Sequence, residues 1–548
     1  MTMKQLLTQT LAAAALVAGG SVLAAGCTAP AEKAKTTLLT PGNPYLPLWE
    51  HIPDGEPYVF EDPDQPGRQR VYIYGSHDSR ITDYCGRELV VWSASVDSLT
   101  QWRYDGEILR VDRNANGEPF DSAGTADVLF APDVTLVTAP DGKKTYYLYP
   151  NDQAWGRNGL VAKSDRPNGP FEVCNWSSSA LDKTDGVLAF DPAVLVDDDG
   201  RVYGYWGFER SYGAELDPAT MATVKPGTKI VEDMVSSKNQ PGDFRFFEAS
   251  SIRKIKDKYV FIYSRWTKEG EYGLPATNYT LAYAYSDQPL GPWTYGGTII
   301  DGRGREINAE GDTIASATVS CNTHGSICEI GGQWYVFFHR QSGLNEFARQ
   351  AMVAPITVKV EEGKGGKVEI SEGEYTSEGF ALEGLDPQER HPAGIACWYT
   401  GPKVAEHNWP ESVYYGSYVA AGYGGDNRFE APYALENNMN PVVNNTDGSI
   451  VGYKYFRFDK PLSLLRLRLI PEGIDGTITI MADRPWASQG GRELGAIALK
   501  ADMPKTATEL TAELPQLAGL KGKHAIYFLF SSDTKEKSLC TLTDFVFE

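Results

Sequence analysis

Five short segments each open on a residue able to hold or move a proton and continue into an apolar strand. They are Glu56-Pro-Tyr-Val-Phe60, Asp133-Val-Thr-Leu-Val137, Asp191-Pro-Ala-Val-Leu195, Glu248-Ala-Ser-Ser-Ile252 and His324-Gly-Ser-Ile-Cys328. Carboxylates gathered at one site cannot all stay ionised cheaply, so at least one proton affinity must rise. A carboxylic acid that protonates a leaving oxygen, set across a bond from a carboxylate that activates water, is the pair that glycosidic hydrolysis needs. A third carboxylate close by keeps the donor protonated by like-charge repulsion. Taken singly, an Asp at a strand start caps a turn. Recurrence in register is what points to a site and to glycoside hydrolysis as its chemistry.

The elements that would position these residues repeat with them. An aromatic-rich strand follows each opening: Arg70 to Gly75, Lys144 to Tyr149, Arg201 to Trp206, Lys258 to Tyr263 and Gln333 to Phe338. Four of the five follow a Gly- or Asp-containing turn directly, as at Asp141-Gly142 and Asp199-Gly200. A third strand comes next, as in Leu89 to Leu99 or Thr280 to Leu290. Short strands, regular turns and a period of roughly 55–75 residues describe radially arranged sheets. The expectation is an all-β chain: a five-bladed β-propeller over residues 43–385, whose innermost strands converge on one mouth, followed by a C-terminal β-sandwich.

The flanks read differently. Lys4 and the apolar run Leu11 to Ala25 form a signal peptide over 1–26 that meets Ala25-Gly26-Cys27, a bacterial lipoprotein pattern. Residues 27–42 are then a tether, and the mature chain is expected to be exported and held at a membrane only by the lipid on Cys27. No later run reaches the ~18 apolar residues of a membrane span. A net charge of −21 excludes a nucleic-acid surface, which needs a basic stripe. The sparse cysteines Cys85, Cys174, Cys321, Cys328, Cys397 and Cys540 lack zinc-site pairing and read as buried thiols. Asp112-Arg-Asn114-Ala-Asn116-Gly117 matches half of a calcium loop, but Ala123 stands where a bidentate Glu is needed, so a turn is expected.

In combination these motifs resemble glycoside hydrolase family 43. The segments that carry the resemblance are Phe190-Asp191-Pro192 with Tyr203, and Phe247-Glu248-Ala249-Ser250-Ser251-Ile252 with Tyr259. Tyr283 to Trp293 and His324-Gly325-Ser326 with Trp334-Tyr335 complete it. The resemblance implies single-displacement, inverting, exo-acting hydrolysis of a furanose or xylose unit of a plant or microbial glycan, with no cofactor for the chemistry. It implies Glu248 as the acid, Asp191 as the residue tuning it, and His324 at the channel axis beside a structural calcium or sodium ion. For the base, the internal repeat selects Glu56. A gapless alignment through Val59-Phe60 and Tyr72-Ile73-Tyr74-Gly75-Ser76-His77-Asp78 selects Asp54 and is preferred, with Glu56 then a substrate contact. Asp133 resembles a sugar-pocket residue, and His77, Trp92, Trp155 and Arg340 are expected wall residues. The Asp-Gly-Glu-Pro and Gly-Ser-His-Asp signatures look closer to furanose-specific branches, α-L-arabinofuranose or β-D-galactofuranose, than to β-xylosidases.

Beyond 386–404, expected as a linker, the alternating strands of 405–548 resemble carbohydrate-binding modules of family 6, with Tyr414, Tyr423 and Trp486 as candidate sugar contacts.

Overall fold

The computed structural model describes residues 37–40, 42–79, 83–120, 128–152, 157, 159–316, 322–401, 416–421 and 440–548. The expected signal peptide, Cys27, Ala123, Trp155, Cys321, Tyr414 and Tyr423 lie outside these residues. Described residues form strands and short 3-10 turns, and no helix among them is long and apolar enough to cross a membrane.

Five antiparallel sheets stand around an axis. Their innermost strands are Glu56–Glu61, Leu129–Thr138, Ala193–Val196, Phe246–Ile255 and Ser326–Ile330. Each pairs outward with an aromatic-rich strand: Gln69–Tyr74, Lys144–Asp152, Val202–Trp206, Lys258–Arg265 and Gln333–Gln341. The fifth blade has three strands and the second, third and fourth have four. Strand Thr37–Leu39, expected in the tether, instead pairs with Ser98–Arg110 and makes a fifth strand of the first blade. The ring closes where Gly55 bridges Gly325 in parallel.

A blade strand is buried on both faces, which explains runs without a polar side. In Val71-Tyr72-Ile73-Tyr74, Val71 and Ile73 pack toward the fifth blade while Tyr72 and Tyr74 pack toward the second. Successive side chains point to opposite faces, and each face meets a neighbouring blade.

The sandwich shows the complementary pattern. Leu465, Leu467 and Leu469 are buried in its core, while Arg466 and Arg468 face outward onto Glu509. The expected linker belongs to this layer pair and not between domains. His391–Pro392 pairs with Cys540–Phe547 in one sheet, and Trp398–Thr400 pairs with Ile450–Phe458 in the other. Arg340 lies at this junction. Its guanidinium donates to the Ala396 and Gly394 carbonyls and to Gln350 Oε1, so it clamps the propeller to that segment and does not wall a sugar pocket. Asn114 Oδ1 accepts from the Asn116 and Glu118 amides, so this stretch is a turn. The described cysteines are unpaired.

One buried cation ties the axis together. Arg253, on the fourth blade, donates to Glu56 Oε2 (2.7 Å) and the Tyr58 hydroxyl (3.0 Å) of the first blade and to the Ile327 carbonyl (3.0 Å) of the fifth. Tyr58 donates to Asp133 Oδ1 of the second blade (2.7 Å), and the Val194 amide of the third donates to Asp133 Oδ2 (2.7 Å). Glu56 and Asp133, expected at the sugar, are therefore structural members of this network. Breaking a buried pair by removing one partner costs ~3–5 kcal/mol because it strands the other charge. Arg253→Met is expected to lower stability by about that much, measured by denaturant unfolding. Adding Glu56→Gln is expected to recover part of the loss, and strictly additive losses would contradict the coupling.

Candidate active site

A cavity of about 470 Å³ opens at the end of the propeller where the innermost strands begin. Asp54, Asp191, Glu248 and His324 all line it. The three carboxyl groups are each delivered by a break at or just before an inner strand. Asp54 has φ +60° and Asp191 has φ +44°, both just before their strands. Glu248 sits at a bulge, where register shifts on both sides of it and Ala249 takes φ +67°. Bulges re-aim side chains in this way at barrel and propeller rims.

The segment Gly75-Ser76-His77-Asp78 builds the floor under Asp54. A Cβ on Gly75 would lie 2.3 Å from the Pro53 carbonyl oxygen, so only glycine lets the two loops meet. Ser76 donates to Asp54 Oδ2 (2.6 Å) and accepts from the Ala131 amide (2.7 Å). Asp78 takes Arg349 in a two-pronged pair, Oδ1 to Nη2 at 2.8 Å and Oδ2 to Nε at 2.9 Å. The remaining Nη1 of Arg349 then lies 3.1 and 3.2 Å from the two oxygens of Asp54. Fork geometry of this kind fixes the guanidinium and, through it, the carboxylate.

The three carboxyl groups are pulled apart in proton affinity. Burial pushes Asp54 up, but the Arg349 guanidinium first, with the Ser76 hydroxyl, outweighs it, and the group is held below the usual carboxylate range. His339 is itself kept neutral by burial, its pKa lowered to about 3. Glu248 moves the other way: burial and then the charges of Asp191 and Asp54 raise it well above its ordinary value, against the opposing pull of Arg349. Among the described residues no group donates a hydrogen bond to its carboxyl. Asp191 is raised by burial first, opposed by His324, while Asn151 Nδ2 (3.0 Å) and the Ala249 amide (3.1 Å) hold its oxygens.

Two other expected wall residues lie behind the wall. Trp92 Nε1 donates to Glu50 Oε2 (2.9 Å), and His77 contacts Glu50 and Glu88 (3.2 and 3.1 Å), which packs both beneath the Asp54 loop and out of the cavity. His324 reaches the cavity, with Nδ1 3.7 Å from Asp191 Oδ2. The described residues gather no group of three or more His, Cys, Asp or Glu side chains able to hold a metal ion. No chemistry below runs through the expected axial ion.

Sequence reasoning missed Arg349 and an aromatic wall. Phe190, Phe208, Phe247 and Trp266 line the cavity in series, with ring centroids 5.0, 5.3 and 5.6 Å apart. Phe208 is 49% exposed. An available signal for Arg349 was a lone cation opening the otherwise uncharged strand Arg349-Gln350-Ala351-Met352-Val353.

The model for glycosyl hydrolases family 43 matches residues 61–362, a stretch that includes Asp191 and Glu248 and begins after Asp54. A xylosidase/arabinosidase of Thermoclostridium stercorarium is 33% identical over 523 residues, covering 91% of this chain and 98% of that protein. An arabinoxylan arabinofuranohydrolase of Paenibacillus polymyxa is 28% identical over 387 residues, 66% of this chain and 56% of that one. A β-D-galactofuranosidase of Aspergillus niger is 25% identical over 328 residues, 58% of this chain and 80% of that one. A family model that spans more than half of the chain, and a relative matched along nearly its whole length, place this propeller protein among the glycosyl hydrolases of family 43.

Proposed function

We propose that the chain is an exo-acting, inverting glycoside hydrolase that releases a terminal furanose from a complex glycan, with α-L-arabinofuranose favoured over β-D-galactofuranose. The observation that carries the reading is the meeting, in one cavity, of Asp54, whose proton affinity Arg349 and Ser76 hold down, and Glu248, whose proton affinity burial and its carboxylate neighbours raise. Asp54, the base, draws a proton from a water that attacks the anomeric carbon. Glu248, the acid, gives its proton to the departing glycosidic oxygen. Asp191 touches neither proton and keeps Glu248 protonated through its charge. Arg349 holds Asp54 ionised and in place. Arabinose is favoured because two of the relatives carry arabinosidase or arabinofuranohydrolase names, while the galactofuranosidase is the more distant match. The xylosidase half of the Thermoclostridium protein's name keeps β-xylosidase as the second reading.

Proton NMR of hydrolysis of p-nitrophenyl α-L-arabinofuranoside, β-D-galactofuranoside and β-D-xyloside reads both sugar and stereochemistry. The expected first product is the inverted anomer of arabinose. Asp54→Asn and Glu248→Gln are each expected to lower kcat by about 10²–10⁴-fold, whereas Glu56→Gln keeps most of it. Retained configuration, or activity that depends on Glu56 and not Asp54, would overturn the assignment.

The pH profile of kcat/KM follows from the signs. Activity rises as Asp54 loses its proton, below the ordinary ~3.9 of an aspartate, and falls as Glu248 loses its own, well above the ordinary ~4.3 of a glutamate. Asp191→Asn removes a negative neighbour, so the descending limb is expected to move to lower pH. A limb that stays in place would refute this coupling. Export with lipidation at Cys27 completes the proposal, and the mass of the N-terminal peptide from cells checks it: an unmodified or retained leader would exclude anchoring.

A further inference from the structure

A second cavity, of about 460 Å³, lies in the seam between propeller and sandwich. Both layers build it with charged side chains that are fixed by one another. Glu306, from the propeller side, is buried and takes Lys454 of the sandwich on Oε1 and Arg484 on Oε2, the latter at 2.7 Å. Glu374 accepts from the Tyr455 hydroxyl (2.7 Å) and lies 3.3 Å from Lys454 Nζ. Arg305 pairs with Asp301 and Glu372 and lies 4.0 Å over the Tyr272 ring. Such pairs could have closed on themselves and filled the seam. Here they line an open space.

Three cations and four carboxylates line it, so the lining is close to balanced. That balance disfavours a bare cation or an anion as occupant, since either would leave half of the lining uncompensated. Hydroxyl groups donate and accept at once, and so suit fixed carboxylates standing beside fixed guanidinium and ammonium groups. An exposed apolar side chain lies in the same lining, Ile307 at 43% exposed, while the rings of Tyr375 and Trp398 are buried. Trp398 Nε1, buried, has no partner among the described residues. Balanced polar groups beside an exposed apolar side chain suit a polyhydroxylated ligand such as a sugar.

We propose that this seam cavity is a second, non-hydrolytic binding site for a short neutral oligosaccharide. The choice of a pentose oligosaccharide as probe rests on the function proposed above. Full-length Glu248→Gln protein titrated with xylotetraose in a calorimeter tests it. Arg484 and Glu374 have side chains 48% and 54% exposed, so replacing them leaves the core intact. Adding Arg484→Ala or Glu374→Gln is expected to weaken a binding step about tenfold or more, the scale of a lost charged hydrogen bond. The same two substitutions in the otherwise natural chain are expected to leave aryl-glycoside hydrolysis unchanged, which also reports correct folding. Superimposable titrations with and without them, or no binding heat beyond the active site, would overturn the proposal. Failure of the proposed hydrolysis would show separately, as silence on all three aryl glycosides.

Discussion

The Arg253 guanidinium is the point on which the ring depends. A propeller of separate sheets has no continuous hydrogen-bond ladder around its axis, so something else must hold the inner strands at one radius. Here a chain of buried polar contacts runs from Arg253 through Glu56 and Tyr58 to Asp133 and the Val194 amide, and from Arg253 to Ile327. All five blades are joined by it. The site inherits its geometry from this bolt: Asp54 lies two residues before Glu56, Asp191 three before Val194, and Glu248 five before Arg253. A shift of the first, third or fourth inner strand along the axis would move a cavity carboxyl by the same amount.

Above the bolt, the same kind of group does opposite things according to its company. Asp54 and Glu248 share a cavity and both feel burial. A fixed cation beside Asp54 reverses the effect of burial, while Glu248 has two carboxylates as its main charged company. Coulomb terms in a poorly hydrated site are large enough to decide protonation between neighbours a few ångströms apart. Asp78 matters for that reason. It lies outside the cavity wall, yet its two-pronged grip on Arg349 keeps the cation aimed at Asp54.

Much of this was legible in the sequence because burial on both faces of a blade strand leaves a mark. The aromatic-rich second strands and the alternating sandwich strands fall where the pattern placed them, and Asp191 and Glu248 meet in one cavity as their registered positions implied. What the pattern could not carry was direction along the axis. Glu56 and Asp133 open their strands like Asp191 and Glu248, but their side chains point into the channel network instead of the mouth. A bulge or a positive φ decides which way such a residue faces, and neither leaves a residue-type signature when Ala131 and Ala249 occupy the strained positions. His77, Trp92 and Arg340 failed as wall residues for a related reason. Each is a large polar side chain near a strand end, and each is spent on holding a loop or the sandwich seam.

The strained positions themselves are the last link between fold and chemistry. Asp54, Ala131, Asp191 and Ala249 all take positive φ around one cavity. A left-handed conformation at a residue with a Cβ costs roughly 1–2 kcal/mol, so four of them at one rim need compensation from the surrounding structure. Each of the two alanines turns its amide inward: Ala131 onto Ser76, which holds Asp54, and Ala249 onto Asp191, which faces Glu248. Regular strands would have given those amides to a neighbouring strand. The irregular backbone instead supplies one neutral, immobile donor that fixes Asp191 without cancelling its charge and another that fixes the Ser76 hydroxyl on Asp54. Asp191 can therefore stay anchored and still raise the proton affinity of Glu248, which a second arginine in its place would have abolished.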